Sequence, residues 1–427
     1  MKKVYIIILT FLCSFAQYNS SKGQIVFNWS QQNSGTTNLL YTCKAVSEMV
    51  CWAAGSNGTV RRTTDGGTNW INANPNPGVL TGTIRNMEAI DGNTAWVTTE
   101  TSTSTKIYRT SNGGNNWVSV YSNTTGLIKG IRMYDTMNGI AIGSPISGFW
   151  NVLLTTDGGN SWNSAPNPPA ADFIHQAVHN SFQVDGPSNI YWGTSLTSIF
   201  MSTNGGSNYT ENSTPGAGIY IFALRISPNG TGLAAGTSMS RSTNGGVTFQ
   251  SHSVPGAGNI NGIESSDNYW WYIRGTKVYH STDNGVSWTE QYTSPQTMNH
   301  LDFPGNISGN PTGWAVGIGG HIHKMTGTLT GLTAINSSLP NEFNLGQNYP
   351  NPFNPTTNIN FKIKNSNFVS LRVYDVSGKE VAILINEVLR SGEYVYTFSG
   401  EKLPSGVYFY RLESDEFTAV RKMIMVK

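Results

Sequence analysis

Short apolar runs that contain both small and large side chains recur along the first three quarters of the chain. Each run is three to five residues long, which is too short for a helix of a globular domain. Both faces of such a run are apolar, so each run predicts a strand that is buried on both sides. The seven runs begin at Cys51, Ala95, Gly139, Ile190, Gly232, Trp271 and Gly313.

An eight-residue polar motif follows six of these seven runs. The first copy, residues 63–70, reads Thr-Thr-Asp-Gly-Gly-Thr-Asn-Trp. An Asp or Asn can accept bonds from backbone amides in a turn, and a glycine pair allows the positive φ of a tight hairpin. The final aromatic residue anchors the outgoing strand. We therefore expect a structural role, without substrate contact, for the Asp or Asn of each copy, namely Asp65, Asn112, Asp157, Asn204, Asn244 and Asp283.

The spacing of the motif predicts the fold class, an all-β protein with a β-propeller. Successive copies lie 39 to 47 residues apart. A period near forty residues, with short strands and Gly-rich turns, is typical of propeller blades. Seven apolar runs stand against six motifs, and Asn28-Trp29 near the N-terminus resembles the end of a motif. We predict that residues 25–328 form seven blades closed by the N-terminal strand, with Trp29 packed like Trp70; eight or six blades are the alternatives.

The eight-residue motif resembles the Asp-box (BNR) repeat, whose pattern is Ser/Thr-x-Asp-x-Gly-x-x-Trp. That repeat occurs in sialidases, xyloglucanases, sortilin-type receptors and photosystem II stability factors. The resemblance implies a β-propeller, and it does not by itself imply an enzyme, because one fold serves many functions.

The C-terminal fifth of the chain has a different pattern. Residues 329–342 have little regular pattern and are predicted to be a linker. Residues 343–427 alternate short strands with turns, as in a small Ig-like β-sandwich. Their motifs resemble the type A C-terminal sorting domain of the type IX (Por) secretion system. The residues that carry the resemblance are Pro350, Pro352, Phe353, Gly378, Gly406, Tyr408 and Lys427.

The resemblance to the sorting domain implies partners for the protein as well as a route of secretion. It implies contact with the type IX translocon and with a sortase-like peptidase that removes the domain. It also implies attachment of the cargo to surface lipopolysaccharide, although anchoring and release both remain open. The alternative is a plain β-sandwich that binds a ligand.

The N-terminus predicts entry into the export route. Lys2 and Lys3 precede an apolar run at residues 4–15, and small residues flank a cleavage position after Ala16. This is the pattern of a signal peptide over residues 1–16, and the run is too short to span a membrane. Cys13 raises the alternative of a lipoprotein, which bulky Leu12 disfavours. The expected location is therefore outside the cell or on the outer-membrane surface.

The composition limits the classes of partner that we expect the protein to bind. Only 12% of the residues are charged, the net charge is +2, and basic residues form no stripe. We therefore expect no nucleic-acid partner. A monomeric protein is also expected. Cys43 and Cys51 either form a disulfide between facing strands or are two buried thiols. No spacing of metal ligands and no cofactor motif is present, so neither metal nor cofactor is expected.

A glycoside hydrolase of the sialidase or xyloglucanase type is the alternative function. Such an enzyme requires two carboxyl groups that face each other across a cleft. The acidic residues outside the Asp boxes show no recognisable pair, and the sialidase Phe/Tyr-Arg-Ile-Pro signature is absent. We therefore expect a protein that is not an enzyme. The candidates considered are Glu88, Asp135, Asp172, Asp185, Glu264 and Asp302.

The predicted binding site lies at one end of the central channel, where propellers bind ligands. Counting back eleven residues from the second residue of five of the apolar runs reaches the start of the preceding strand; the five starting points are Trp52, Trp96, Ile140, Leu233 and Tyr272. Two blades with longer turns contribute a histidine each. Aromatic, basic and amide side chains at these positions suit a polar or anionic ligand, such as a glycan or a peptide carboxylate. The predicted residues are Tyr41, Arg85, Lys129, His179, Phe222, Asn261 and His300. The sequence thus predicts an exported propeller that binds a glycan or a protein.

Overall fold

The computed structural model describes residues 25–76, 78–101, 104–172, 174–266, 269–304, 312–329, 332–336, 340–401 and 403–427. The predicted signal peptide lies outside these residues. None of the helices among them has the length and apolarity needed to cross a membrane. Two compact units are formed, one of Phe27–Gly327 and the other mainly of Thr328–Lys427.

The larger unit consists of short antiparallel strands grouped in four-stranded sheets. Strand β1 spans Ile25–Gln32. Sheets 1 to 3 contain β2 (Leu40–Ala45), β3 (Cys51–Gly55), β4 (Val60–Thr63) and β5 (Ile71–Asn72); β6 (Thr83–Ala89), β7 (Ala95–Glu100), β8 (Thr105–Thr110) and β9 (Val118–Asn123); and β10 (Ile128–Met133), β11 (Gly139–Ile146), β12 (Phe149–Thr155) and β13 (Asn163–Ser164).

The next sheets repeat this order. Sheets 4 to 6 contain β14 (Ala177–Asp185), β15 (Asn189–Thr194), β16 (Ser198–Ser202) and β17 (Thr210–Ser213); β18 (Ala223–Ile226), β19 (Gly232–Ala235), β20 (Met239–Ser242) and β21 (Gln250–His252); and β22 (Ile260–Ser266), β23 (Tyr269–Arg274), β24 (Lys277–Ser281) and β25 (Thr289–Thr293). Sheet 7 contains β26 (Met298–Asp302), β27 (Thr312–Gly317) and β28 (Ile322–Leu329), with β1 beside β28. Single 3₁₀ turns occupy Ser56–Gly58 and Ile318–Gly320.

The first strands of the sheets pack side by side around a common axis. Each contacts the first strand of the following sheet, and β26 of sheet 7 contacts β2 of sheet 1. The apolar runs recognised in the sequence fall on the second strand of each sheet, and β3 and β27 are buried along their whole length. The larger unit is therefore a β-propeller, as the repeat predicts.

Strand β1 is tied to sheet 6 through aromatic side chains. Phe27 is buried, and its ring meets the rings of Tyr269, Trp271 and His280 edge-on at 5.5, 5.0 and 4.9 Å. Trp29 is only half-buried; it stacks on Tyr292 at 5.8 Å, and its Nε1 donates to Gln291 Oε1. The expectation that Trp29 packs like the buried Trp70 is therefore wrong. Phe27, two residues earlier on the same face of β1, is the ring that is buried against sheet 6.

The Asp boxes act through hydrogen bonds inside each hairpin. In all six copies, the hydroxyl of the first residue donates to Oδ1 of the Asp or Asn at 2.7–3.0 Å. The same Oδ1 accepts a backbone N–H four residues later at 2.9–3.0 Å. The glycine pair has positive φ, for example +72° and +90° at Gly66 and Gly67. The box side chains are thus used within the turns.

Arg and Lys side chains on the third strands of the sheets bond to backbone carbonyl groups of the neighbouring sheet. Arg109 of sheet 2 lies over the Trp96 ring at 5.7 Å and donates to Gly158 O in the box of sheet 3. Lys324 of sheet 7 donates in the same way to Gly66 O in the box of sheet 1 at 2.6 Å. Arg241 makes the corresponding bond to Asn284 O in the box of sheet 6, whereas Arg62 bonds to Gly92 O in the turn between β6 and β7.

The smaller unit is a two-sheet β-sandwich. One sheet has the order β29 (Leu332–Asn336), β34 (Gly392–Ser399), β31 (Thr356–Ile363), β30 (Asn344–Leu345). The other has the order β33 (Glu380–Leu389), β32 (Asn367–Tyr374), β35 (Gly406–Ser414), β36 (Phe417–Met425). Phe353, Tyr408 and Met425 belong to their shared core.

Two expectations need correction. Residues 332–336, within the predicted linker, form β29 and pair with β34, because Leu332-Thr333-Ala334-Ile335 can continue a sheet ladder. Cys43 and Cys51 are buried free thiols, so the disulfide alternative is wrong. Cys51 stands opposite Ala45 across the strand pair, and Cys43 stands opposite Ala53.

Candidate functional site

A backbone irregularity recurs near the start of the first strands. The pairing register slips by one residue in five sheets, which leaves Tyr41, Arg85, Lys129, Asn261 and Asn299 out of the ladder. Such a bulge redirects a side chain, and bulges are frequent beside functional sites. In sheet 4 the irregular stretch is longer, from Ala177 to Phe182, and in sheet 5 Phe222 directly precedes β18. Each of the five bulges follows a fully buried apolar residue, for example Leu40 before Tyr41.

Four of the five bulge residues, together with residues of sheet 4 and Phe222, surround one cavity, which we call the axial cavity. Its volume is about 200 Å³. Because its walls come from sheets 1, 2, 4, 5, 6 and 7, it lies on the common axis, at the end where the first strands begin. The lining residues are Tyr41, Arg85, Val178, His179, Asn180, Phe222, Asn261 and Asn299.

Five of the seven residues predicted for the site line this cavity: Tyr41, Arg85, His179, Phe222 and Asn261. His300 does not, because the bulge falls one residue earlier and turns Asn299 toward the cavity instead. His300 is buried, and its Nδ1 accepts the N–H of Cys43 at 3.2 Å. Burial lowers the pKa of His300 to about 4, so the ring is neutral. Lys129 is also absent from the lining.

Arg85 carries the unneutralised charge of the cavity. Its guanidinium lies over the Tyr41 ring at 4.3 Å, and no carboxylate of the described residues lies within ion-pair distance of it. Lys129 Nζ instead pairs with Glu100 Oε2 at 2.9 Å, and His179 Nε2 lies 2.8 Å from Glu100 Oε1. Stacking on an aromatic ring leaves the planar donors of an arginine available to an anion.

The pKa shifts of Glu100 and His179 agree with the conclusion that Lys129 is neutralised and Arg85 is not. Burial lowers the pKa of His179, although the hydrogen bond to Glu100 opposes the effect. Burial raises the pKa of Glu100, but bonds from His179 and Lys129 outweigh it and lower the pKa overall. At neutral pH, His179 is therefore uncharged and Glu100 offsets Lys129. The excess positive charge beside the cavity belongs to Arg85.

Three asparagine amides hold the cavity walls together. Asn180, at φ +62°, donates to Tyr41 O and accepts from Asn86 Nδ2, both at 3.1 Å. Asn261 donates to Met298 O at 3.2 Å, and Asn299 donates to Leu40 O at 2.8 Å. These bonds run between sheets, so they fix the positions of the amides before any ligand arrives.

A second ring of polar residues lies three positions further along each first strand. It consists of Lys44, Glu88, Arg132, Gln183, Arg225, Glu264 and Asp302. Glu88 pairs with Lys44 at 3.5 Å and with Arg132 at 3.6 Å, and Glu264 pairs with Arg225 at 3.5 Å. Three cations and three anions face one another here. We call this set the channel ring; it was not predicted, although a polar residue at a constant offset along the first strand of each of the seven sheets was a usable signal in the sequence.

The channel ring contains three of the acidic residues considered for hydrolysis. The Glu88, Glu264 and Asp302 side chains are only 3–12% exposed, and each has a cationic neighbour. Burial raises the pKa of Glu264 to about 7 and also raises that of Glu88. A glycosidase needs its two carboxyl groups on either side of an open cleft. The remaining candidates do not join them: Asp135 caps an exposed turn, Asp172 bonds His175, and Asp185 accepts from Gln183.

Comparisons with known proteins agree with this architecture. Residues 23–254 match the family described as Photosynthesis system II assembly factor YCF48. Residues 347–427 match the secretion system C-terminal sorting domain. No match was found among the curated proteins. The sorting domain marks a protein that is exported through the type IX secretion machinery to the cell surface or beyond.

Solved structures of similar fold include two YCF48 proteins. YCF48 from Cyanidioschyzon merolae is 17% identical, with a TM-score of 0.53, 69% of this chain covered and 98% of that chain covered. A YCF48 bound to D1 peptide is 15% identical, with a TM-score of 0.52 and coverages of 70% and 96%. PorZ of Porphyromonas gingivalis, described as an essential surface component of the type IX secretion system, is 13% identical with a TM-score of 0.51. The match spans 93% of this chain but 60% of PorZ. At these identities, the similarity establishes the fold alone.

Proposed function

Because the chain belongs to the family of photosynthesis system II assembly factor YCF48 and ends in a sorting domain, we propose that it is an exported surface propeller that binds a glycan or protein ligand. The ligand contributes an anionic group to the axial cavity, where Arg85 receives it. The observation that carries the proposal is the unneutralised guanidinium of Arg85 on the Tyr41 ring. A charge-assisted bond to a carboxylate is among the stronger polar contacts in proteins.

Binding without hydrolysis is supported by the lining of the cavity. No Asp or Glu is among its eight lining residues, so it offers no general acid or base of the carboxylate type. The carboxylates of the channel ring are buried against cations. One YCF48 structure holds a D1 peptide, which is a fact about that protein and supports a ligand role here by analogy.

The proposal also covers the number of blades, the closure of the ring and the maturation of the protein during export. Seven blades closed by β1 are supported by the order of sheet 7 and by the contact of β26 with β2. Cleavage of a signal peptide after Ala16, removal of the sorting domain by a sortase-like peptidase and attachment to lipopolysaccharide complete the proposed maturation. The protein acts as a monomer, without metal or cofactor.

A binding screen with the purified protein tests the proposal. A glycan array and a set of acidic and neutral peptides are probed with the wild type, Arg85→Gln and Lys106→Gln. Lys106 is an exposed cation on β8 outside the cavity, so Lys106→Gln is the matched control. Loss of one charge-assisted bond is worth about 1.5–3 kcal/mol, or roughly a 10- to 150-fold weaker Kd.

The same screen can contradict the proposal. Glu100→Gln removes the anion next to the cavity, so anionic ligands should bind the variant more tightly. If anionic ligands bind wild type and Arg85→Gln equally, the site is wrong. If the protein releases reducing ends from a glycan on the array, the hydrolase alternative is favoured.

A further inference from the structure

A second, larger depression lies beside the axial cavity, and we call it the outer groove. Its volume is about 420 Å³, and its walls include Asn38, Arg61, Asn72 and Asn74 of sheet 1 and Gly82 before sheet 2. The 3₁₀ turn after β3 forms part of it, and Ser56 N–H bonds to Leu39 O next to Tyr41. The outer groove therefore opens at the same end of the propeller as the axial cavity.

Two chain segments connect the groove to the axial cavity. Asn38 precedes Tyr41 by three residues, and Gly82 precedes Arg85 by three residues. An extended chain advances at most about 3.3–3.6 Å per residue, so Asn38 and Gly82 each lie within about 11 Å, Cα to Cα, of Tyr41 and Arg85 respectively. A ligand longer than one small unit can therefore reach both.

The lining of the groove is polar and free of carboxylates. Amide and hydroxyl side chains and glycines dominate it, Leu80 is its one apolar residue, and no Asp or Glu takes part. An adjoining cavity of about 380 Å³ shares Thr36 with the groove and also has no carboxylate in its lining. A protein ligand is usually anchored by apolar or aromatic side chains in fitted pockets, which this groove does not offer. A chain rich in hydroxyl groups matches it better.

Arg61 supplies a second unneutralised cation. One terminal nitrogen of its guanidinium donates to Gly35 O, and no carboxylate of the described residues lies within ion-pair distance. Asn74 donates to Gly58 O at 2.9 Å, which holds its amide beside Arg61 in the groove. The groove thus offers one positive charge among neutral hydrogen-bonding groups.

An aromatic platform flanks the axial cavity on the side of sheet 5. Tyr220 stacks on Phe222 with ring centroids 5.8 Å apart, and Tyr220 is 46% exposed at φ +63°. A bulky residue in the left-handed region is held there by its surroundings, and such strain clusters at functional sites. An exposed aromatic face beside hydrogen-bonding groups accepts the C–H face of a sugar ring.

From these observations we infer that the axial cavity and the outer groove form one extended site for an acidic oligosaccharide. One carboxylate-bearing sugar unit lies in the axial cavity, between Arg85 and the Phe222 platform. The following units lie in the outer groove, where Arg61 receives a second carboxylate and Asn74 bonds hydroxyl groups. This inference rests on the proposed function of the axial cavity and names its ligand class.

A length series of oligogalacturonides, from the monomer to the octamer, tests the inference by isothermal titration calorimetry with the full-length protein. For the wild type, Kd should fall by at least tenfold between the monomer and the longer chains. Arg61→Gln should remove this gain and leave monomer binding unchanged, and Asn74→Ala should reduce the gain. Lys106→Gln is the charge-matched control and Asn163→Ala, on the exposed strand β13, is the amide-matched control; both should behave like wild type.

The outcomes separate the inference from the proposed function. A Kd that does not depend on chain length, or a gain that Arg61→Gln retains, overturns the inference. If acidic peptides bind through Arg85 while no oligogalacturonide binds, the inference fails and the proposed function stands. If no anionic probe of either class binds, both fail. Melting temperatures of all variants within 2 °C of wild type, a margin of about 1 kcal/mol, establish that each is folded.

Discussion

Phe27 is the residue through which the N-terminal strand should stabilise the propeller. Its side chain is 9% exposed and meets three rings of sheet 6 edge-on at 4.9–5.5 Å. Replacement of a buried phenylalanine by alanine costs about 3–5 kcal/mol, because the lost contacts leave a cavity that the surroundings only partly fill. For a domain of this size, that cost corresponds to a melting temperature roughly 6–10 °C lower. Differential scanning calorimetry of Phe27→Ala measures the change.

A matched control separates this effect from the loss of apolar area alone. Val118 on β9 is 63% exposed, so Val118→Ala should change the free energy of unfolding by less than about 0.5 kcal/mol. Deletion of β1 should have a larger effect, because it exposes the edge of β28 and promotes edge-to-edge aggregation. If Phe27→Ala melts within 2 °C of Val118→Ala, and the deletion variant elutes as a monomer, the closure of the ring by β1 is refuted.

Three further predictions concern the boxes, the channel ring and the sorting domain. Hydrogen bonds from the Ser161 hydroxyl and backbone lower the pKa of Asp157 to about 2, so the stability that Asp157 contributes is present above pH 4 and is lost as pH falls toward 2. Carboxyl ¹³C NMR should give a titration midpoint near 2 for Asp157, and this midpoint should rise in Ser161→Ala. A wild-type midpoint near 4 would contradict the role of the box. Burial raises the pKa of Glu264 to about 7, so between pH 4.5 and 7 the folded protein keeps a proton that the unfolded chain loses, and the stability of the wild type falls as pH rises. The melting temperature of Glu264→Gln should therefore rise relative to that of the wild type across this pH range. A difference in melting temperature that does not change with pH would count against the buried state of Glu264. Deletion of residues 343–427 should leave the protein in the periplasm on cell fractionation, and surface material from wild-type cells should lack Lys427 by mass spectrometry; equal surface amounts of the truncated protein would argue against sorting.

Most of the fold could be predicted from local sequence patterns. The box hairpins depend on hydrogen bonds between residues two to four positions apart, such as Thr63 to Asp65, so the residue types alone predict them. The period of the repeat then implies the propeller, since units of that size bury their apolar strands only by packing against each other.

The candidate site was predictable where it depends on counting along one strand. A constant offset from the apolar runs located Tyr41, Arg85, Phe222 and Asn261, because every blade repeats the same hairpin. The same count also gave Lys129, which does not line the cavity. His300, assigned as the equivalent residue in a blade with a longer turn, was wrong, because a bulge is a property of pairing between strands, and a shift of one residue exchanges cavity and core. No pattern in the single strand indicates that Asn299 is the residue out of the ladder.

The sequence by itself determined the repeat, the turns, the buried strands and the C-terminal sorting motifs, because each depends on interactions between near neighbours in the chain. The tertiary structure alone decided which charges are free. Lys129 and Arg85 occupy equivalent positions in adjacent blades, yet Glu100 neutralises Lys129 and no carboxylate of the described residues reaches Arg85. The same holds for the channel ring, where Lys44 and Asp302, 258 positions apart in the chain, pair between the adjacent first strands of sheets 1 and 7. Electrostatic interaction falls with distance in space and burial strengthens it, so only the assembled ring sets the charge that a ligand meets.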